Sequence, residues 1–259
     1  MKGVILAAGQ GTRLHPLTEV TSKHLLPVGN VPMIVHSIHQ LTTAGITDIL
    51  IVTNPRHAGD FIKFLGSGKK FRCDLTYRVQ EEQKGIAHAL AVAERFAEGS
   101  KIAVLLADNI FETPIAYAID DFREQRHGAR VMLKHVPWES ATQVAIAQRN
   151  EENIVAIEEK PKIPKSDLAV IGAYCYDENV FDIIRQILPC PRTGEYEMAA
   201  VNNAYIGRGQ LEYTLVQGAW LDAGTFESLH EAHRLVINAA EKLESGLDAL
   251  QSLTFSAHN

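Results

Sequence analysis

Cysteine, long apolar runs and excess positive charge are all scarce in this chain. The three cysteines, Cys73, Cys175 and Cys190, are odd in number and widely, irregularly spaced. That pattern suggests neither a disulfide framework nor a CxxC metal site, and the thiols are expected to be reduced. No apolar run reaches the roughly 18 residues that a membrane-spanning helix needs. The apolar stretch Val4 to Ala8 that follows Met1-Lys2-Gly3 is too short for a signal-peptide core. These absences predict a cytoplasmic protein with no membrane partner. The formal net charge is -6, and nucleic acids or anionic membranes require a basic surface, so the composition also argues against a nucleic-acid partner. Phosphate ligands stay open, because a small phosphate site needs only a few local cations and backbone amides.

What is present is a chain of 259 residues, 46% of them hydrophobic, enough for one sizeable domain with a full core. The first half alternates short β-branched runs with amphipathic stretches, the pattern of βαβ units around a buried, mostly parallel sheet. Strands are predicted at Val4 to Ala8, Ile49 to Thr53, Leu75 to Val79 and Ile102 to Leu106, and helices at Pro32 to Ala44, Ala58 to Leu65 and Ile86 to Phe96. The second half reads as strands at Ala129 to His135, Val144 to Gln148, Ile154 to Glu159 and Ala169 to Tyr176. Helices follow at Asn179 to Leu188, Tyr196 to Gly207 and Thr225 to about Gly246, and the last dozen residues are weakly patterned. In open α/β sheets ligands gather at the carboxyl ends of strands, which directs attention to the residues after Ala8, Val79 and Leu106.

The strongest local signal is Leu6-Ala7-Ala8-Gly9-Gln10-Gly11-Thr12-Arg13-Leu14, followed by Ser22-Lys23-His24-Leu25-Leu26-Pro27-Val28. A buried strand opening into two glycines and a threonine suits a loop whose amides wrap a triphosphate, with Arg13 and Lys23 as the cations. The P-loop spacing is absent, and the dinucleotide pattern GxGxxG breaks at Leu14. His36 and His39, and likewise His230 and His233, read as surface helical residues, since neither pair has HExxH spacing.

The loop Gly9-x-Gly11-Thr12-Arg13-Leu14-x-Pro16-Leu17-Thr18 with Lys23-x-Leu25-Leu26-Pro27-Val28 resembles the signature of the sugar-1-phosphate nucleotidyltransferases, nearest to the short glucose-1-phosphate thymidylyltransferases. The resemblance continues through Gly85-Ile86-Ala87, Asp108-Asn109, Glu158-Glu159-Lys160-Pro161, Gly194-Glu195 and Trp220-Leu221-Asp222-Ala223-Gly224-Thr225. It implies an α/β, Rossmann-like nucleotide-diphospho-sugar transferase fold with a mixed, mostly parallel central sheet. One domain over 1–259 would comprise a nucleotide-binding half (1–128), a sugar-binding half (129–235) and a C-terminal helix and tail (236–259).

The implied reaction is in-line attack of a sugar 1-phosphate on the α-phosphorus of dTTP or UTP, with glucose 1-phosphate as the default acceptor. The resemblance makes Asp108 and Asp222 the ligands of Mg²⁺ and Arg13, Lys23 and Lys160 the catalytic cations. It assigns Leu6, Ala8, Gly9, Gly11, Thr12, Arg13, Gln80 and Gly85 to the nucleotide. Asp108, Gln143, Glu159, Lys160, Gly172, Tyr174 and Glu195 fall to the sugar. It also implies a homodimer or homotetramer. Gln143, Thr193 and Ala200 depart from the family pattern on the sugar side, which leaves room for a different hexose. They also motivate an alternative, a catalytically weak homologue that senses nucleotide or sugar nucleotide. A glycosyltransferase is disfavoured because Asp108-Asn109-Ile110 is not the expected Asp-x-Asp.

Overall fold

A computed structural model describes residues 1–151 and 153–255, with side chains described as far as residue 241. Strand β1 (Lys2–Ala7) is apolar on both sides, with Val4 and Leu6 entering one core and Ile5 and Ala7 another. A strand buried on both faces belongs in a sheet covered by helices on both sides. After the ribbon of β2 (Pro27–Val28) and β3 (Val31–Pro32), the chain alternates α1 (Met33–Thr43), β4 (Asp48–Thr53), α2 (Ala58–Leu65) and β5 (Asp74–Val79). Next come α3 (Ile86–Ala91), α4 (Glu94–Ala97), β6 (Ile102–Leu106), β7 (Asn109–Phe111) and α5 (Ala116–Glu124). The remainder is β8 (Ala129–His135), β9 (Ala145–Arg149), β10 (Ile154–Glu159), β11 (Leu168–Tyr176), α6 (Val180–Gln186), α7 (Met198–Gly207), β12 (Leu211–Leu215), β13 (Trp220–Asp222) and α8 (Phe226–Phe255).

The main sheet has the order β10-β9-β11-β6-β1-β4-β5, with β8 joined to β11 and β12 to β8. The pairs of β1 with β4 and β6, and of β4 with β5, are parallel, whereas β11 is antiparallel to β6, β8 and β9. Only β10 and β11 run against the common direction, so the sheet is mixed and mostly parallel. Helices α3, α6 and α7 cover one face around Leu90, Phe181 and Tyr205, and α1, α2 and α5 cover the other around Ile38, Phe61 and Phe122.

Strand β11 shifts register between Val170 and Tyr174. Gly172 lies inside that shift and sends its N–H to the Asn109 side chain at 2.9 Å instead of into the ladder. Outside the main sheet, β7 and β13 form an antiparallel ribbon that sets Asp222 opposite Asn109.

Several expectations need correcting. The helix predicted over Ile86 to Phe96 is two helices, because Val92 and Ala93 donate to carbonyls three residues back and tighten the chain out of α geometry. Helix α5 and strands β7, β12 and β13 were not predicted, and α8 runs past Gly246 to Phe255. The weakly patterned last dozen residues are helical as far as Phe255, and the rest of them lie outside the described residues. Two of the four histidines are not free surface groups: His36 Nε2 bonds the Val28 carbonyl at 2.9 Å, and His233 Nδ1 accepts the Gly29 N–H at 3.1 Å.

Candidate active site

The glycine loop leaves β1 and turns at Gly11, whose φ of 68° places it in the left-handed region. A Cβ there would lie 2.9 Å from Thr18 Cγ2 and 3.0 Å from Lys23 Cβ, so only glycine fits. Thr18 Oγ1 donates to the Gly11 carbonyl at 2.9 Å, and Asn54 Nδ2 donates to the Ala8 carbonyl at 3.1 Å, tying the loop to the end of β4. Leu6, Ala8, Gly9, Gly11 and Thr12 line a cavity of about 510 Å³ together with Lys23, His24, Gln80, Gly85, Asp108 and Glu195. Seven of the residues predicted for the nucleotide thus share one cavity; the eighth, Arg13, does not line it.

In the lining of this cavity the buried Lys23 Nζ donates to Asp108 Oδ2 at 2.5 Å. Burial opposes ionisation of Asp108, but the Lys23 charge, with hydrogen bonds from Lys23 and Asn109, holds its carboxyl well below the ordinary range. Burial, reinforced by the Lys23 charge, lowers His24 to about 3 and keeps its imidazole neutral. The β7–β13 ribbon brings the second carboxylate alongside, and the Ala223 N–H donates to the Asp108 carbonyl at 2.8 Å. Partial burial and the adjacent Asp108 carboxylate push Asp222 up to about 6, against the opposing charges of Lys23 and Arg13. Arg13 Nη2 stands 3.9 Å from Asp222 Oδ2.

Asn109 ties these parts together. Its Oδ1 accepts from the Gly172 N–H at 2.9 Å and from Trp220 Nε1 at 2.7 Å, leaving Nδ2 to donate to Asp108 Oδ1 at 2.9 Å. The Asp222 carboxylate is near enough to Asp108 for their charges to interact, and its Oδ1 is buried without a hydrogen-bond partner among the described residues. A hard cation completed by phosphate oxygens and water fits such a donor set. No cluster of three or more metal-ligating side chains exists among the described residues, so protein groups alone do not form a closed cage.

A second cavity of about 100 Å³, lined by Glu159, Lys160, Arg192, Glu195 and Glu197, shares Ile86 and Glu195 with the first. Burial, with Glu197 and Glu195 nearby, raises the Glu159 pKa despite the opposing Lys160 charge. Lys160 has a φ of 46°, unusual for a residue with a side chain, and such strain persists only where surroundings enforce it. Arg192 supplies part of that enforcement: Nη2 donates to the Glu159 carbonyl at 2.9 Å and Nη1 to the Lys160 carbonyl at 3.4 Å.

Three residues expected on the sugar side are not brought into these cavities. Gln143 is exposed with its amide on Thr142, Gly172 is buried behind Asn109, and Tyr174 is buried in the core, stacked on Tyr176 at 6.0 Å. Conversely, His24, Asn54 and Arg192 take structural parts that the sequence reading did not assign. Their signals were faint: a histidine inside a basic motif, an asparagine after a strand, and an arginine next to Thr193, which departs from the family pattern.

Fold and site together define an enzyme of nucleotide chemistry on a doubly covered α/β sheet. The chain belongs to the nucleotidyl transferase family, whose model matches residues 2–239. It is 42% identical over 239 residues to glucose-1-phosphate thymidylyltransferase of Mycolicibacterium smegmatis, covering 91% of this chain and 82% of the relative. The Neisseria meningitidis enzyme of the same name is 40% identical over 240 residues, with the same coverage. A Bacillus anthracis crystal structure, solved with sucrose under the provisional name glucose-1-phosphate thymidylyltransferase, superposes with a TM-score of 0.86 at 46% identity, covering 91% of this chain and 94% of that one. The similarity spans the glycine loop and both cavities. No helix among the described residues is long and apolar enough to cross a membrane.

Proposed function

We propose that this enzyme transfers the nucleotidyl group of dTTP, or of UTP, to glucose 1-phosphate, forming a nucleoside-diphosphate sugar and pyrophosphate. The observation that carries this reading is the buried Lys23–Asp108 pair, which lines a cavity walled by the glycine loop and whose charges act on Asp222, itself outside that lining. Mg²⁺ held by Asp108 and Asp222 would neutralise the reacting phosphate oxygens. An acceptor phosphate oxygen forms the new bond to the α-phosphorus, and the bond from that phosphorus to the β-bridging oxygen breaks. Loop amides from Gly9 to Thr12 wrap the triphosphate, while Arg13 and Lys23 offset charge on the departing pyrophosphate.

Lys160 holds the acceptor phosphate, and Glu159 and Glu195 accept hydrogen bonds from sugar hydroxyls. Gln80 and Gly85 read the base. We further propose a single cytoplasmic domain of two halves, supported by the continuity of the main sheet, that assembles as a homodimer or homotetramer. The test is pyrophosphate release with Mg²⁺, crossing five nucleoside triphosphates with a panel of hexose 1-phosphates. Release that needs both dTTP or UTP and glucose 1-phosphate is expected. Nucleotide binding without release from any pair would overturn the reading.

A further inference from the structure

The base end of the cavity contains an arrangement that fixes which face of an amide meets the ligand. Gln80 is buried at the end of β5, its backbone N–H tied to the Thr53 carbonyl at 2.8 Å. Its side-chain Nε2 lies 3.2 Å from the Gly85 carbonyl and 3.1 Å from His88 Nδ1. A carbonyl oxygen can only accept, so the amide must present its NH₂ group in that direction. The same nitrogen then donates its second hydrogen to His88 Nδ1, which places the imidazole proton on Nε2. Two hydrogens meet two acceptors, and the NH₂ group has nothing left to offer a ligand.

His88 is itself held in place. It sits in the first turn of α3, its ring 6.3 Å from that of Tyr196, and Tyr196 is joined by its backbone to Lys84 and Ala87. Gln80 Oε1 has no hydrogen-bond partner among the described residues, and Gln80 lines the cavity. The Gly85 carbonyl is occupied by Gln80 and by the Ala89 N–H at 3.1 Å, so its N–H is what Gly85 can give. Gln80 and Gly85 therefore present a fixed pattern of one acceptor, Gln80 Oε1, and one donor, the Gly85 N–H.

We propose that His88 is a specificity-determining positioning residue: by occupying the second Gln80 amide hydrogen beside the Gly85 carbonyl, it helps the cavity select an imide base, thymine or uracil, against cytosine. An imide offers a ring N–H at position 3 and flanking carbonyls, which complement the fixed acceptor and donor. Cytosine held by its sugar in the same place offers a lone pair at position 3, opposed to Gln80 Oε1. A freely turning glutamine could rotate to accommodate either base; the Gly85 carbonyl sets the direction of the NH₂ group, and the second bond to His88 Nδ1 strengthens the hold on it. This inference rests on the assignment of Gln80 to base reading.

The test compares kcat/KM for dTTP and dCTP, with glucose 1-phosphate, in the wild type and in Gln80→Leu, His88→Leu and His88→Gln. Net hydrogen-bond contributions imply that His88→Leu lowers the dTTP-over-dCTP ratio by about 2- to 10-fold. The change should fall in KM for the nucleotide and not in kcat. His88→Gln, which restores an acceptor, should recover most of the ratio. A ratio that collapses in Gln80→Leu and stays at the wild-type value in His88→Leu would overturn the role of His88 while leaving base reading by Gln80 intact. An unchanged ratio in Gln80→Leu would overturn both.

Discussion

Replacing Lys23 by methionine would isolate one charge at the centre of the site. The side chains of Lys23 and Asp108 are 10% and 14% exposed, and their charged atoms are 2.5 Å apart. Methionine keeps the apolar stem that packs against Gly11 and removes the ammonium. Asp108 would then be a buried carboxylate without its cation, beside the second carboxylate of Asp222. Breaking a buried pair from one side costs about 3–5 kcal/mol at neutral pH. Asp108→Asn should also destabilise, because it leaves the buried Lys23 ammonium without the carboxylate it bonds directly. The double variant has neither charge, so its loss should be smaller than the sum by about 2–3 kcal/mol.

The pH dependence follows with a definite sign. In the wild type the Asp108 carboxyl sits below its ordinary value of 3.8, so its ionisation adds stability above that pH that is lost as pH falls. In Lys23→Met that contribution is gone, burial raises the carboxyl, and the deficit should shrink from pH 7 toward pH 4 as Asp108 takes up a proton. Guanidinium unfolding of the four proteins across that range is the assay. A Lys23→Met deficit under about 1 kcal/mol, or additive losses in the double variant, would refute the buried-pair argument.

Other outcomes follow from the same geometry. Gly11→Ala forces a side chain into left-handed backbone against Thr18 and Lys23, and should cost about 1–3 kcal/mol in thermal unfolding, together with loss of nucleotide binding measured by calorimetry. Asp222 is raised to about 6, so its ionisation removes stability as pH climbs from 4 to 6 in the ligand-free protein. Asp222→Asn should therefore melt above the wild type at pH 8 and with it at pH 4, while pyrophosphate release is abolished. Arg192→Ala removes the guanidinium from the Glu159 and Lys160 carbonyls and should raise KM for the sugar phosphate about 10-fold, with KM for the nucleotide unchanged. Steady-state kinetics with each substrate varied in turn would check it.

Strand Ile102–Leu106 was legible because burial on both faces leaves an uninterrupted apolar run, and Ala129–His135 and Ile154–Glu159, less apolar, also appear with the expected ends. Helix α5 was not. Its buried residues Ala118, Ile119 and Phe122 are diluted by Asp120, Asp121, Arg123 and Glu124, so packing against the sheet decides it more than pattern does. Strands β7 and β13 are three residues each, too short for any periodicity to register. In the site, the glycine loop announced itself because its residues are contiguous. The role of Asn109 could not be read, since its partners Gly172 and Trp220 stand 63 and 111 positions away and meet it only through the β11 register shift and the β7–β13 ribbon. Arg192 was hidden for the same reason, its carbonyl partners lying 33 and 32 positions upstream.

Two short connections give the site its coherence. The β7–β13 ribbon sets both carboxylates by one set of backbone bonds, so displacing Asp222 also disturbs the backbone that carries Asp108. At the other end, the Tyr196 N–H donates to the Lys84 carbonyl at 2.8 Å and its carbonyl accepts the Ala87 N–H at 3.0 Å, so residues 84–87 and 195–196 move as one piece. Gly85, at a φ of 100°, lies so close that a Cβ would come within 2.7 Å of the Tyr196 carbonyl. The segment proposed to face the base is thereby bonded to the segment carrying Glu195, which lines both cavities. In-line transfer requires the acceptor phosphate and the α-phosphorus in fixed relative position, and small misplacements cost rate steeply. If residues 84–87 and 195–196 face the base and the sugar as proposed, joining them through backbone hydrogen bonds, instead of through mobile side chains, meets that requirement.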